Sequence, residues 1–164
     1  MKMRKLSCLL IGVLWTSSVL GATTPNTVVL PQVLSRGITQ FLQGTDVAGT
    51  YKTIYTAGVN GSRCLGIFVT SSDTTAAHLL TIQLVNGGVK YGGMSISVPL
   101  SGPGFINAVP PLAPMVAANW PGLALDAAAN PYIAMASGDT LQATFTTALT
   151  AATLINVVAN CMDY

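Results

Sequence analysis

From Thr50 onward, short apolar runs alternate with turn signals, and the runs have the two-residue period of strands rather than the period of helices. The stretch "HLLTIQLV" (78–85) puts Leu80, Ile82 and Leu84 on one side and Leu79, Thr81 and Gln83 on the other. "TLQATFTTA" (140–148) sets Leu141, Ala143 and Phe145 against Thr140, Gln142, Thr144 and Thr146. "TYKTIYTA" (50–57) is rich in the β-branched and aromatic residues that suit a pleated, half-buried surface. "RCLGIFVTS" (63–71) is largely apolar, which predicts a strand covered on both faces. "VKYGGMSISVPL" (89–100), "PYIAM" (131–135) and "TLINVVANCMD" (153–163) read as further strands.

The separators have turn chemistry. Asn60-Gly61 and Asn86-Gly87-Gly88 are hairpin signals, while "SDTTAA" (72–77) and "SGDT" (137–140) are polar turns. Gly92-Gly93 inside a strand predicts a bulge or kink. After Pro99, "SGPGF" (101–105) reads as a corner, stiffened by Pro103. A phosphate-cradling loop would need a helix start and a lysine after it, and "FINAVPP" supplies neither. Prolines then limit 106–126 to an extended edge segment, a loop and one helical turn near 112–119. Short strands at regular spacing predict an all-β fold: a single antiparallel β-sandwich, jelly-roll-like, of about eight strands, over residues 50–164. Residues 23–49 are polar and broken by Pro and Gly. They predict an extended N-terminal arm, with short strands at "NTVVL" (26–30) and near "GITQFLQ" (37–43).

Residues 1–22 follow a different pattern. Lys2, Arg4 and Lys5 precede an apolar run from Leu6 to Leu14, and Ser17, Ser18, Gly21 and Ala22 end it. This is the pattern of a signal peptide, expected as a signal-like helix. The apolar run is shorter than the roughly 20 residues of a membrane span, so no stable span is expected once the leader is removed. The leader also carries the basic charge. Beyond it, Arg36, Lys52, Arg63 and Lys90 stand against Asp46, Asp73, Asp126, Asp139 and Asp163, four minus five, or −1. Without clustered cations, nucleic acid is not an expected partner. Cys64 and Cys161 remain as an even pair. In an exported protein they can form a disulfide, and two small buried thiols are the other reading.

Catalytic chemistry is sparse. The chain has no glutamate, one histidine (His78) and five scattered aspartates, and no GxSxG elbow. His78 reads as a surface or strand-end residue, and no metal or cofactor is implied. Asp126, Asn130 and Asp139 have the oxygen ligands that calcium takes, but their loop positions fit turn-making better. Tyr91, Trp120 and Tyr132, with Tyr55, are the candidates for contacts to a ligand such as a sugar. Packing at loop bases is the other reading.

The motifs in "TIYTAGVNGSRCLGIFVTSSDTTAAHLLTIQLVNGGVKYGGMSISVP" (53–99) and "LALDAAANPYIAMASGDTLQATFTTALT" (123–150) carry a resemblance. The TAG-x-NG-S turn within Ile54 to Ser62, the strand end and TSSDT turn within Val69 to Thr74 and the GG-V-x-Y hairpin from Gly87 to Tyr91 are three of its pieces. The SVP corner at Ser97 to Pro99 and the LD…NPY…SGDTL stretch from Leu125 to Leu141 complete it. Together these resemble small β-sandwich virion proteins, decoration or head-associated, of tailed phages and prophages. The resemblance implies a non-enzymatic structural role, with a homo-oligomer or other structural subunits as partners. A secretory leader departs from proteins that assemble in the cytoplasm. The settings are therefore an exported protein (periplasmic, cell-surface or secreted) or a virion. The alternative function is an exported carbohydrate- or ligand-binding β-sandwich module. Intact-mass measurement of protein made with export machinery is expected to find a chain starting near Ala22 or Thr23. A soluble product retaining Met1 to Gly21 would show that the leader is not processed.

Overall fold

The computed structural model describes residues 33–101, 115–116, 118–120 and 123–164, and these form an all-β fold. The strands are β1 (Val33–Leu42), β2 (Lys52–Thr56), β3 (Ser62–Ser71), β4 (His78–Asn86), β5 (Val89–Val98), β6 (Ala124–Leu125), β7 (Pro131–Met135), β8 (Thr140–Phe145) and β9 (Leu154–Asp163). Two antiparallel sheets pack together, with orders β1-β9-β3-β7-β6 and β2-β8-β4-β5. The leader, the "NTVVL" strand, the Gly-Pro-Gly corner and most of the proline-rich segment lie outside the described residues. No helix among the described residues is long and apolar enough to cross a membrane.

The chain folds as one long hairpin doubled over on itself. At its tip, Gly87 (φ 53°) and Gly88 (φ 84°) take left-handed backbone conformations that other residues avoid, and they join β4 to β5. Around that tip, β3 pairs with β7, β2 with β8 and β1 with β9, all antiparallel. Two lateral pairings, β3 with β9 and β4 with β8, assemble the nested pairs into sheets.

The alternation predicted for β4 and β8 is present. Leu80, Ile82, Leu84, Leu141, Ala143 and Phe145 all face the core. Opposite them, Ile67, Val69, Ile155 and Val157 fill the layer from the other sheet. Burying each such side chain contributes roughly 1.5–3 kcal/mol before the entropy of ordering is counted. Phe41 and Phe145 meet edge-to-face across the two sheets, with centroids 5.3 Å apart.

Two sequence expectations need correction. Residues 33–42 are not an arm outside the sandwich. They are a ten-residue strand along β9, with Thr39 and Phe41 buried, so the sandwich starts upstream of Thr50. The inward alternation of Gly37, Thr39 and Phe41 was masked by the polar and glycine residues around it. Likewise, β3 is covered on one face. A register shift between Cys64 and Gly66 leaves Leu65 exposed, while Arg63, Phe68 and Thr70 are half-buried on the outer face. Nine strands lie among the described residues, the addition being the two-residue β6, paired with Pro131 and Tyr132.

Cys64 on β3 and Cys161 on β9 are direct cross-strand partners at disulfide distance, both fully buried. Their separation of 97 residues closes a long loop. In the chain-entropy model, a loop near 100 residues corresponds to about 4–5 kcal/mol. Non-reducing peptide mapping should therefore recover the linked Cys64 and Cys161 peptides. The Cys64→Ala/Cys161→Ala double variant should unfold at clearly lower denaturant, by about 2–5 kcal/mol. Freely alkylated thiols in the folded protein would contradict the pairing.

Candidate functional site

The sandwich is closed along one side, where β1 meets β2. There the Thr39 hydroxyl donates to the Thr53 carbonyl (2.6 Å) and Lys52 Nζ to the Gln40 carbonyl (2.7 Å). On the opposite side β5 ends one sheet and β7 with β6 ends the other. A cleft of about 500 Å³ opens there. Tyr91, Trp120 and Tyr132 all line it, together with Leu84, Gly92 and Ile133. Three aromatic residues from separate segments, named from sequence as ligand candidates, thus meet in one place. Tyr55, the fourth aromatic, does not. It is buried, and its hydroxyl bonds Ser62 (3.1 Å) and Asp163.

Each wall residue is held differently. The register of β4 and β5 shifts between Leu84–Gly92 and Val85–Lys90, so Tyr91 is the extra, bulged residue. The bulge predicted at Gly92-Gly93 sits one residue earlier. A bulge turns its side chain away from the regular pleat, and Tyr91 is 53% exposed. Its hydroxyl nevertheless donates to the buried carboxylate of Asp139. Asp139 also accepts from Asn86 Nδ2 and from the Ala136 backbone N–H (2.7 Å). Burial alone would raise the Asp139 carboxyl, but these donors hold it below its ordinary value. The same burial and the Asp139 charge push the Tyr91 phenol up, so it stays a donor.

Trp120 is buried against β5, where Gly92 presents no side chain; a Cβ there would lie 3.4 Å from indole Cζ2. A turn from Val116 brings Trp120 in, with its backbone N–H on the Val116 carbonyl (3.0 Å). The Tyr132 ring carries the Arg63 guanidinium at 4.7 Å from its centroid. Arg63 Nη2 lies 3.7 Å from Asp126 Oδ2, while its Nε is buried without a hydrogen-bond partner among the described residues. Neither the Tyr132 hydroxyl nor the Trp120 indole N–H has a hydrogen-bond partner among the described residues. None of the described side chains lining the cleft is charged.

The calcium alternative meets different geometry. Asp126 accepts from the Ala128 and Asn130 backbone N–H groups (2.9 and 2.8 Å) and from Asn130 Nδ2 (3.2 Å), which makes a turn. Asp139 organises its own turn, as above.

His78 is not at the surface. It opens β4 fully buried, with Nε2 2.7 Å from Asp73 Oδ2 and Nδ1 3.2 Å from Thr147 Oγ1. Asp73 also accepts from the Thr75 backbone N–H (2.8 Å) and hydroxyl (2.8 Å), the Ala76 N–H (3.0 Å) and the Thr150 hydroxyl. Burial opposes its charge, yet Thr150, Thr75 and His78 together hold the carboxyl far below the ordinary range. The network fastens the β3–β4 turn to the β8–β9 loop. Nothing in sequence spacing joins Asp73 to Thr147 and Thr150.

The outer face of the larger sheet is the other notable surface. Leu34, Ile38 and Leu42 on β1 are exposed. In register they lie beside Met162, Val158 and Leu154 of β9, and Phe68 of β3 flanks Val158 on the far side. Arg36 is the charge on the β1 row, and its Nε donates to Asn160 Oδ1 (3.2 Å). Compared with known proteins, the chain matches no family model, no curated protein and no solved structure.

The Asp73 carboxyl is depressed in the folded state, so its contribution is present above the ordinary value of 3.8 and lost as pH falls below it. Denaturant melts across acidic pH should therefore show stability falling below about pH 4. Asp73→Asn should flatten that acid limb and, by removing the charged acceptor of several buried donors, cost about 1–3 kcal/mol at neutral pH. An unchanged pH slope in the variant would contradict this assignment.

Proposed function

We propose that this protein is a non-enzymatic structural subunit that associates with copies of itself through the outer face of its larger sheet. Its nested pairs, β1 with β9, β2 with β8, β3 with β7 and β4 with β5, follow the order of a jelly roll. That architecture is widely used for shell-forming and carbohydrate-binding domains. It supports, at the level of architecture alone, the kinship with phage virion proteins that the sequence motifs suggest.

The observation that carries the reading is the Ile38–Val158–Phe68 row, with Leu34–Met162 and Leu42–Leu154 on either side. A solvent-facing strand normally carries lysine or glutamate to discourage association. Here the β1 row carries one charge, already bonded to its neighbour. Three ten-residue strands present a projected face on the order of 500 Å². With corrugation by side chains this approaches the ~800 Å² per partner of a standard interface. A second copy fits such a face because its apolar rows recur on both surfaces and its cations are already engaged, Arg36 with Asn160 and Arg63 with Asp126 and the Tyr132 ring.

Other features fit a role without acid–base chemistry. The Asp73–His78 pair is wholly buried and committed to loop hydrogen bonds. The cysteine pair at disulfide distance supports an oxidising compartment, and with the basic–apolar leader it favours export to the cell envelope or beyond; assembly in a virion is the alternative setting.

Light scattering and sedimentation at micromolar concentration should find a species larger than the 16.9 kDa chain. Ile38→Lys, on an exposed position, should leave the melting curve nearly unchanged and weaken association at least ~10-fold, since it forces a charge into the contact. A wild-type protein that stays monomeric at about 100 μM, a weak-affinity concentration, would overturn the proposal.

A further inference from the structure

We propose that the cleft between β5 and β7 is a binding site for a neutral saccharide, independent of the face used for self-association. The described side chains lining the cleft carry no charge with which to pair a charged ligand. They also differ from a simple packing defect. Tyr91 is bulged outward and more than half exposed, yet its ring is oriented through a hydroxyl anchored on the buried Asp139. The Tyr91 side chain is thus held in one direction at the rim of the cleft by its hydroxyl. Such a ring is pre-organised, which lowers the ordering entropy that a ligand must overcome.

Sugars present apolar C–H faces rimmed by hydroxyls. The cleft offers the matching pair of properties: aromatic and aliphatic walls from Tyr91, Trp120, Tyr132, Leu84 and Ile133, and hydrogen-bonding ends on Trp120 and Tyr132 that no described residue occupies. Its volume of about 500 Å³ falls inside the ~300–1,000 Å³ range of small-ligand sites. Arg63 lies across the Tyr132 ring and supports it. Beyond Tyr91 and Ala134 the surface continues into a second depression lined by Asn86, Asp139, Ser62 and Tyr164. That polar continuation suits an extended chain of sugar residues better than a compact apolar molecule.

The test is calorimetry on the full chain with maltohexaose, cellohexaose, laminarihexaose, xylohexaose and chitohexaose, each to about 10 mM, the range of weak binding. The Trp120 indole N–H resonance is followed in parallel. At least one hexaose should bind saturably and shift that resonance. Tyr132→Ala, and Trp120→Phe as a variant that keeps an aromatic wall, should each weaken binding at least ~10-fold, roughly 1.4 kcal/mol, while still melting cooperatively. Ile38→Lys should bind as wild type does, which separates this site from the assembly face. Absence of binding by all five sugars, or binding insensitive to both cleft variants, would overturn the proposal. So would saturable uptake of an apolar naphthalene sulfonate dye in this cleft with no response to sugars.

Discussion

Strand β9 lies between β1 and β3 and pairs with both along nearly its whole length. It brings residues 154–163 against residues 33–42 and 62–71, so the larger sheet cannot form until distant segments meet. Such non-local pairing carries a large loop-closure entropy. The Cys64–Cys161 link sits on this pairing, between partners already in register, and removes part of that entropy from the unfolded chain. The β4–β5 hairpin is local by contrast, and its turn residues favour it independently of the rest.

The same closure determines where surface chemistry lies. One side of the sandwich is sealed by β1 against β2. The other leaves β5 and β7 as facing boundaries, and that gap becomes the aromatic cleft. The sheet that contains β9 turns its other face outward with Ile38, Val158 and Phe68 uncovered or half covered. Two surfaces of different character therefore result from one topology, one an outer sheet face where apolar side chains alternate with the Arg36–Asn160 and Gln40–Asn156 pairs, the other concave and aromatic.

The few charges are used as fasteners. Asp46 accepts from the Leu42 backbone N–H and from Lys52. Asp73, Asp126 and Asp139 each organise the turn that contains them, and Asp163 gathers Tyr55, Ser62 and Gly58. In every case hydrogen bonds to the carboxylate outweigh the cost of desolvating it, so all five carboxyls lie below their ordinary value. A chain with so few charged residues commits these five to holding loops between strands.

Much of the local structure was legible in sequence because it depends on neighbouring residues. The period of two in β4 and β8, the Asn-Gly-Gly hairpin, the polar turns and the all-β class follow from side-chain alternation and turn geometry. The even cysteine pair and the three aromatic candidates were also visible as residue types. Tertiary structure decided what those residues meet. β1 reads only as a short strand within an arm, because an inward row of Gly37, Thr39 and Phe41 gives little apolar signal until β9 is beside it. β3 looked doubly buried because its composition is apolar, whereas the number of layers packed on a strand is set by topology. His78 reads as superficial until Asp73, from the short turn before it, and Thr147, from the β8–β9 loop 69 residues on, bond its ring, with Thr150 of the same loop bonding Asp73. Composition and local spacing constrain which elements form; only the closure of the nested strands brings residues 91, 120 and 132 around one cleft, because that proximity depends on pairings remote in sequence.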